Sequence, residues 1–166
     1  MSEFEEKIID YMKAHKINAE HLSFNESCHS VAEAAEAAGA STQDFVKNIC
    51  LLGPNGELAV AIVRGNDRVD TKKTAKFLGL KKVRMATAEE ILKRTGYPCG
   101  GTPSFGFDAT FLIDHNVLDM PLVYTGGGSQ TSLIKSTPQV LLAANKGMIT
   151  DIIKEPVQKA HNNAPG

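Results

Sequence analysis

The stretch Asn48–Val63, NICLLGPNGELAVAIV, decides the fold class. It places two apolar runs, Asn48–Leu52 and Leu58–Val63, on either side of Gly53-Pro54-Asn55-Gly56. Glycine and proline at those positions punctuate a turn, so the pattern predicts a β-hairpin. Upstream of it the period is helical. Ser2 and Glu5 make an S-x-x-E capping box ahead of Phe4, Ile8 and Met12, which recur every four residues. Three glutamates in the first turns suit the positive end of that helix. A short strand is expected at His21–Phe24. Ser30 and Glu33 form a second capping box for the alanine-rich stretch Val31–Ala38, which Gly39 stops. Ser41 to Asp44 caps one further turn and delivers the chain to Phe45-Val46-Lys47-Asn48.

Downstream, Asp70 or Thr71 caps a helix to Leu78, with Gly79 closing it. Lys82–Ala86 reads as a strand. Thr87 and Glu90 make a third capping box before a helix that ends near Thr95. Gly96–Gly106, GYPCGGTPSFG, holds four glycines and two prolines and cannot be a regular element. Strands are expected at Phe111–Asp114 and Leu122–Thr125, separated by a turn around His115-Asn116, and at Ser132–Lys135 after Gly126-Gly127-Gly128. Thr137 caps a last helix, Pro138 to Asn145. Strict βαβ alternation is absent, so residues 1–155 are expected to form one α+β domain, a mixed sheet covered by helices, with residues 156–166 as a frayed tail.

Composition bounds the function classes. The chain has 166 residues, 42% hydrophobic and 22% charged, which is ordinary globular composition. Eighteen Lys and Arg against nineteen Asp and Glu give a net charge of -1, so a general basic coat for nucleic acid is excluded and a local basic patch is not. No apolar run approaches the ~20 residues of a membrane span, and the start MSEFEEKIID is neither a signal nor a transit peptide. Cys28, Cys50 and Cys99 form no CxxC pair, and the histidines show no HxxxH spacing. A cytosolic protein without metal or cofactor is the expectation.

No nucleophile elbow, Walker loop or dinucleotide fingerprint is present. What stands out is the pair of glycine-rich loops, Gly96–Gly106 and Gly126–Gly128, and one lysine in an apolar setting, Lys47. Glycine backbone can approach a ligand closely and aim several amides at one anion, which suits an oxyanion. A tight structural turn is the plainer reading of Gly126–Gly128. Lys47 reads either as a strand-edge lysine with a solvated head or as a cation placed on a phosphate or ribose.

Four segments occur here in one order: Phe45-Val46-Lys47-Asn48; Val69-Asp70-Thr71-Lys72-Lys73 leading to Leu78-Gly79-Leu80-Lys81-Lys82-Val83-Arg84-Met85-Ala86; Thr95 to Gly106; and Tyr124-Thr125-Gly126-Gly127-Gly128. That order resembles the YbaK/ProX family of aminoacyl-tRNA deacylases, relatives of the editing domain inserted in bacterial prolyl-tRNA synthetase, over about Phe24 to Lys146. The resemblance implies an α+β domain with a barrel-like mixed sheet. It also implies metal-free, cofactor-free hydrolysis of the ester of mischarged tRNA, with tRNA and a synthetase as partners and no DNA or membrane. Carried onto this chain, Gly100, Gly101, Thr102, Pro103 and Ser104 would hold the aminoacyl carbonyl, Lys47 would engage the terminal nucleotide, and Gly126 to Gly128 would wall the same pocket. Substrate ribose hydroxyl or a positioned water would assist. An activated ester needs positioning and electrostatic help more than a nucleophile, in accord with the residues. Pro103 stands one place earlier than in a GGxSP loop, which bears on amino-acid specificity. Ser132 stands where some members specific for Cys-tRNA carry aspartate, which weighs against cysteinyl-tRNA.

Other residues carry paired readings. Cys99 lies in the loop, but a thiolate needs a base or cation to form and the sequence shows none beside it. His29 could line the pocket or be a solvated helix-start residue. Tyr97 and Phe105 either stack on the terminal adenine or pack beneath the loop. Lys72, Lys73, Lys76, Lys81, Lys82 and Arg84 are a solvated face or a phosphate-contacting footprint for the acceptor arm of tRNA. A non-catalytic module binding a nucleotide, amino acid or synthetase through the same pocket is the competing function, and a zinc-dependent editing hydrolase lacks its ligand spacing.

Overall fold

A computed structural model describes residues 1–155, so the expected tail, 156–166, lies outside the described residues. The predicted hairpin is present: β2 (Val46–Leu52) and β3 (Leu58–Arg64) pair antiparallel, from Val46 opposite Arg64 to Leu52 opposite Leu58. β2 starts two residues before the predicted Asn48, because pairing with β3 carries Val46 and Lys47 into the ladder. Leu58 through Val63 are all buried, as befits a strand covered on both faces. β4 (Arg84–Met85) borders β2, while β5 (Thr110–Asp114) and β8 (Met148–Thr150) extend the other side in parallel, giving the order β4-β2-β3-β5-β8. β8 has no counterpart among the expected strands. Met148 and Ile149 are both substantially exposed, so no alternation marks it and pairing with β5 alone creates it.

A second sheet has the order β1-β7-β6, with β1 (Glu20–Ser23), β6 (Val123–Gly126) and β7 (Ser132–Ser136) all antiparallel. The α+β class stands; the barrel-like single sheet does not. Among the described residues one isolated backbone bridge joins the two sheets, Phe45 to Tyr124, whose rings stack with centroids 5.0 Å apart. One bridge is too little ladder to close a barrel.

The helices α1 (Glu3–Ala14), α2 (Val31–Ala38), α3 (Thr71–Leu78), α4 (Ala88–Thr95) and α5 (Pro138–Asn145) fall where the caps placed them. The boxes of α2 and α4 close reciprocally. The α1 box closes only halfway. Ser2 Oγ accepts from Glu5 N at 3.2 Å, but the Glu5 carboxylate turns inward and accepts from Ser129 Oγ at 2.9 Å and from Ser23 Oγ. Burial works to raise the Glu5 pKa, and those donors, with Ser2 and nearby His21, outweigh it and hold it below the usual carboxylate range.

The main core gathers Ile8, Met12, Val60, Ile62, Tyr97, Phe105, Ile113, Ile134 and Leu141. α1 packs on the protein through Ile8, and Lys7 Nζ stands 4.6 Å from the Tyr97 ring centre. The Tyr97 hydroxyl is buried and has no partner among the described residues. An unpaired buried hydroxyl costs about 1–3 kcal/mol. Tyr97→Phe keeps the ring and removes that cost, so the variant should melt a few degrees above the parent, roughly 2–4 °C per kcal/mol. A lower melting temperature by calorimetry would mean that the hydroxyl is satisfied.

Candidate functional site

The two glycine-rich loops, widely separated along the chain, form one wall. Gly128 N donates to Gly101 O at 2.8 Å, and a Cβ on Gly101 would lie 2.6 Å from the Ser129 carbonyl carbon. At Gly126 a Cβ would overlap the Thr102 carbonyl oxygen, so only glycine lets β6 pass the loop this closely. Within the loop, Gly101 N donates to Pro98 O at 2.9 Å, and Gly100 adopts φ +88, a left-handed value that favours glycine.

Behind this wall runs a closed ring of hydrogen bonds. Asn48 Nδ2 donates to Thr125 Oγ1 at 2.8 Å and to the Thr102 carbonyl at 2.9 Å. Ser104 Oγ donates to Asn48 Oδ1 at 2.7 Å and lies 2.7 Å from Thr125 Oγ1. With the Ser104 proton on Asn48, Thr125 must donate to Ser104, and the ring closes in one sense. Each hydroxyl and both ends of the amide are satisfied, which fixes β2, β6 and the Gly/Pro loop together. Asn48 and Thr125 were not among the expected site residues. The available signal was an amide side chain in an otherwise apolar strand.

A cleft of about 230 Å³ opens in front of the ring. Lys47, Asn48, Gly100, Thr102, Thr125 and Gly126 form its polar side; Val31, Ala34, Phe45 and Leu133 form its apolar side. Among the described residues no backbone carbonyl accepts from the Gly100 or Thr102 amide. Lys47 is half-buried and its Nζ donates to the Asp67 carbonyl, so the ammonium is oriented rather than loose. Burial pulls its pKa below that of an ordinary lysine, the Asp67 charge opposes the shift, and the Arg68 charge adds to it.

The expected residues divide. Lys47, Gly100, Thr102, Gly126 and His29 line the cleft; the His29 ring lies against Gly100 where a side chain would otherwise be. Gly101, Pro103, Ser104, Gly127 and Gly128 are buried in the support around it. His21 Nε2 lies 2.8 Å from the Gly127 carbonyl and braces that segment. Tyr97 and Phe105 are fully buried, which corrects the stacking expectation: neither ring can reach a base. Ser132 is buried too, with its hydroxyl 2.8 Å from Ser129 Oγ, and does not line the cleft. Lys72, Lys76, Lys81 and Lys82 are exposed and do not line the cleft. Lys73 is held by Asp151, Glu155 and the Ile153 carbonyl, and Arg84 grips Glu90 in two bonds of 2.8 and 2.7 Å.

Cys99 and Cys28 line the cleft, and burial, then Glu26 and Glu33, push the Cys28 thiol up. Cys50 lies in the core, its pKa pushed up to about 12 by burial and by Cys99. Among the described residues Asp114, His115 and Asp151 bring three possible metal-ligand atoms within 4.8 Å of one another, outside the cleft. Structural bonds already engage the two carboxylates: Ile152 N and Asn116 N donate to that of Asp114, and Lys73 sits on Asp151. No described helix is long and apolar enough to cross a membrane.

Residues 25–144 match the family described as the aminoacyl-tRNA editing domain. YwhH of Bacillus subtilis, an uncharacterized protein, is 30% identical over 120 residues, 71% of this chain and 76% of that protein. EbsC of Enterococcus faecalis, provisionally named a Cys-tRNA(Pro)/Cys-tRNA(Cys) deacylase, is 26% identical over 145 residues, 85% of this chain and 88% of its own. The proline--tRNA ligase of Thermotoga maritima is 32% identical over 98 residues, 59% of this chain but 17% of the ligase. Among solved structures, one provisionally described as a trans-editing enzyme for prolyl tRNA synthetase superposes with TM-score 0.85 at 26% identity, covering 93% of this chain and 99% of that one. The hypothetical protein APE2540 superposes with TM-score 0.82 at 28% identity, covering 89% and 99%.

Proposed function

The chain belongs to the aminoacyl-tRNA editing domain family, and on that premise we propose that it is a trans-acting deacylase that hydrolyses the ester of mischarged tRNA. The observation that carries this reading is the meeting of two distant glycine loops over Lys47, with the Gly100 and Thr102 amides free of backbone partners among the described residues. Amides without backbone acceptors, on two residues that line the cleft, suit the oxyanion that forms when water adds to the aminoacyl carbonyl. The tetrahedral intermediate then collapses, its carbon–oxygen bond to the terminal ribose breaks, and the leaving oxygen takes up a proton. That proton is the one the attacking water sheds on addition, passed directly or through the neighbouring ribose hydroxyl. Lys47 holds the terminal nucleotide so that the carbonyl meets those amides, and the ring through Asn48 keeps the amides from shifting. The apolar side and the lack of any carboxylate among the described lining residues favour a small uncharged amino-acid side chain.

The deciding experiment is amino-acid release from a panel of mischarged tRNAs. Turnover of at least one member is expected. Binding of nucleotide or amino acid with no release from any member would replace the deacylase by a binding module. In this mechanism no side chain attacks, so Cys99→Ala should keep turnover within a few-fold of the parent on the same panel. A loss of several hundredfold would make the thiol a nucleophile and overturn the mechanism.

A further inference from the structure

Cations lead away from the cleft along one path. Lys47 Nζ rests on the Asp67 carbonyl, and the next residue, Arg68, is exposed. The backbone there is pinned: Lys154 N donates to Arg68 O at 2.8 Å, Val69 bridges Ile153, and Asp70 N donates to Ile152 O at 2.7 Å. The Asp67 carboxylate is shared: Arg64 Nε holds it at 2.6 Å, and its charge also supports the ammonium of Lys47. Arg68 follows directly on the residue whose carbonyl Lys47 Nζ contacts, and its charge acts with burial to lower the Lys47 pKa. Arg68 is therefore presented to solvent from pinned backbone, one residue along the chain from the carbonyl that holds Lys47.

Asp70 then caps α3, whose orientation is set by what its other faces do. Thr74 and Ala75 are buried, and Lys73 turns to Asp151, Glu155 and the Ile153 carbonyl. That leaves Lys72 and Lys76 on the outer face, one helical turn apart, about 6 Å along the axis. Both are exposed, and neither has a carboxylate at ion-pair distance among the described residues. Beside them Phe77 is 43% exposed. Uncompensated cations interleaved with an exposed aromatic ring are the chemistry that meets a nucleic-acid strand, phosphates on the cations and a base or sugar on the ring.

We propose that the Arg68–Lys72–Lys76 face, with Phe77 at its side, is the surface on which an RNA strand lies as its 3′ end enters the Lys47 cleft. The partner class rests on the deacylase reading above. Lys73 and Arg84 drop out because carboxylates hold them. Lys81 and Lys82 lie beyond Gly79, past the end of α3 that is distant from Asp67, and serve as the comparison set.

The test is binding of uncharged tRNA, followed by fluorescence anisotropy through a salt series, with melting curves to verify folding. Arg68→Gln should flatten the slope of log K against log salt by about 0.7–0.9, and the pair Lys72→Gln with Lys76→Gln by about twice that. Phe77→Ala should weaken binding at every salt concentration without changing the slope. Lys81→Gln with Lys82→Gln should leave the slope at the parent value. Parent-like slopes in the Arg68 and Lys72/Lys76 variants, or a loss confined to the Lys81/Lys82 variant, would overturn the proposal. Turnover on the mischarged panel is read separately. Slopes as expected with no turnover by the parent would sink the deacylase and leave the RNA surface standing.

Discussion

Lys47→Ala is expected to reduce release of amino acid from mischarged tRNA by roughly 10²–10³-fold, the usual scale for removing one preorganised electrostatic group. The fold should survive. Lys47 stands at a half-buried position of β2 opposite Val63, and its own burial disfavours the charged head. A lysine whose pKa is lowered by folding binds its proton less tightly in the folded state. The charged group therefore opposes folding, and that penalty fades as pH rises through the lowered pKa, so the alanine variant loses little stability. Activity carries the opposite sign. If the cation holds the nucleotide, turnover corrected for spontaneous ester hydrolysis should fall as pH rises through the lowered pKa, earlier than for an ordinary lysine. Lys47→Arg should lose that alkaline fall while turning over more slowly, because a planar guanidinium does not sit on the Asp67 carbonyl as an ammonium does. Turnover of Lys47→Ala within threefold of the parent would remove the lysine from the mechanism.

Gly126→Ala should be equally damaging by a different route. The added methyl would land on the Thr102 carbonyl oxygen and close to the Gly101 carbonyl carbon, and both belong to backbone. The loop cannot simply retreat, since Asn48 Nδ2 holds that carbonyl and Gly128 N holds the one before it. The Thr102 amide would move with its loop, and a displacement near 1 Å at a catalytic donor costs on the order of 10²-fold. The melting temperature should drop as well, because separating the loops breaks buried hydrogen bonds worth about 1 kcal/mol each. A folded Gly126→Ala protein with parent turnover would show that the junction of the loops is not where the chemistry happens.

Both predictions depend on contacts made over long sequence distances, and this separates what was legible from what was not. The caps of α2, α3, α4 and α5 are local: Ser30, Asp70, Thr87 and Thr137 each bond an amide two or three residues on, so a few letters suffice to place them. The β2–β3 hairpin is likewise local, with its turn residues between its strands. Glu5 shows the limit of that logic. Its spacing from Ser2 satisfies the capping rule, yet Ser23 and Ser129 offer the carboxylate a buried site that the rule does not see. β8 fails in the other direction, since its pairing comes wholly from β5.

For the candidate site, the chain by itself identified its materials: glycine-rich backbone that can approach a ligand, and a lysine among apolar residues. Tertiary structure decided which of them face the cleft. Asn48 bonds residues 54 and 77 positions away, Tyr97 and Phe105 sink into the core rather than meet a base, and Lys73 and Arg84 are taken by carboxylates. Residue type and short spacing encode bonds within a helical turn or a hairpin. Which side of a loop sees solvent depends on partners that only the folded chain brings into reach.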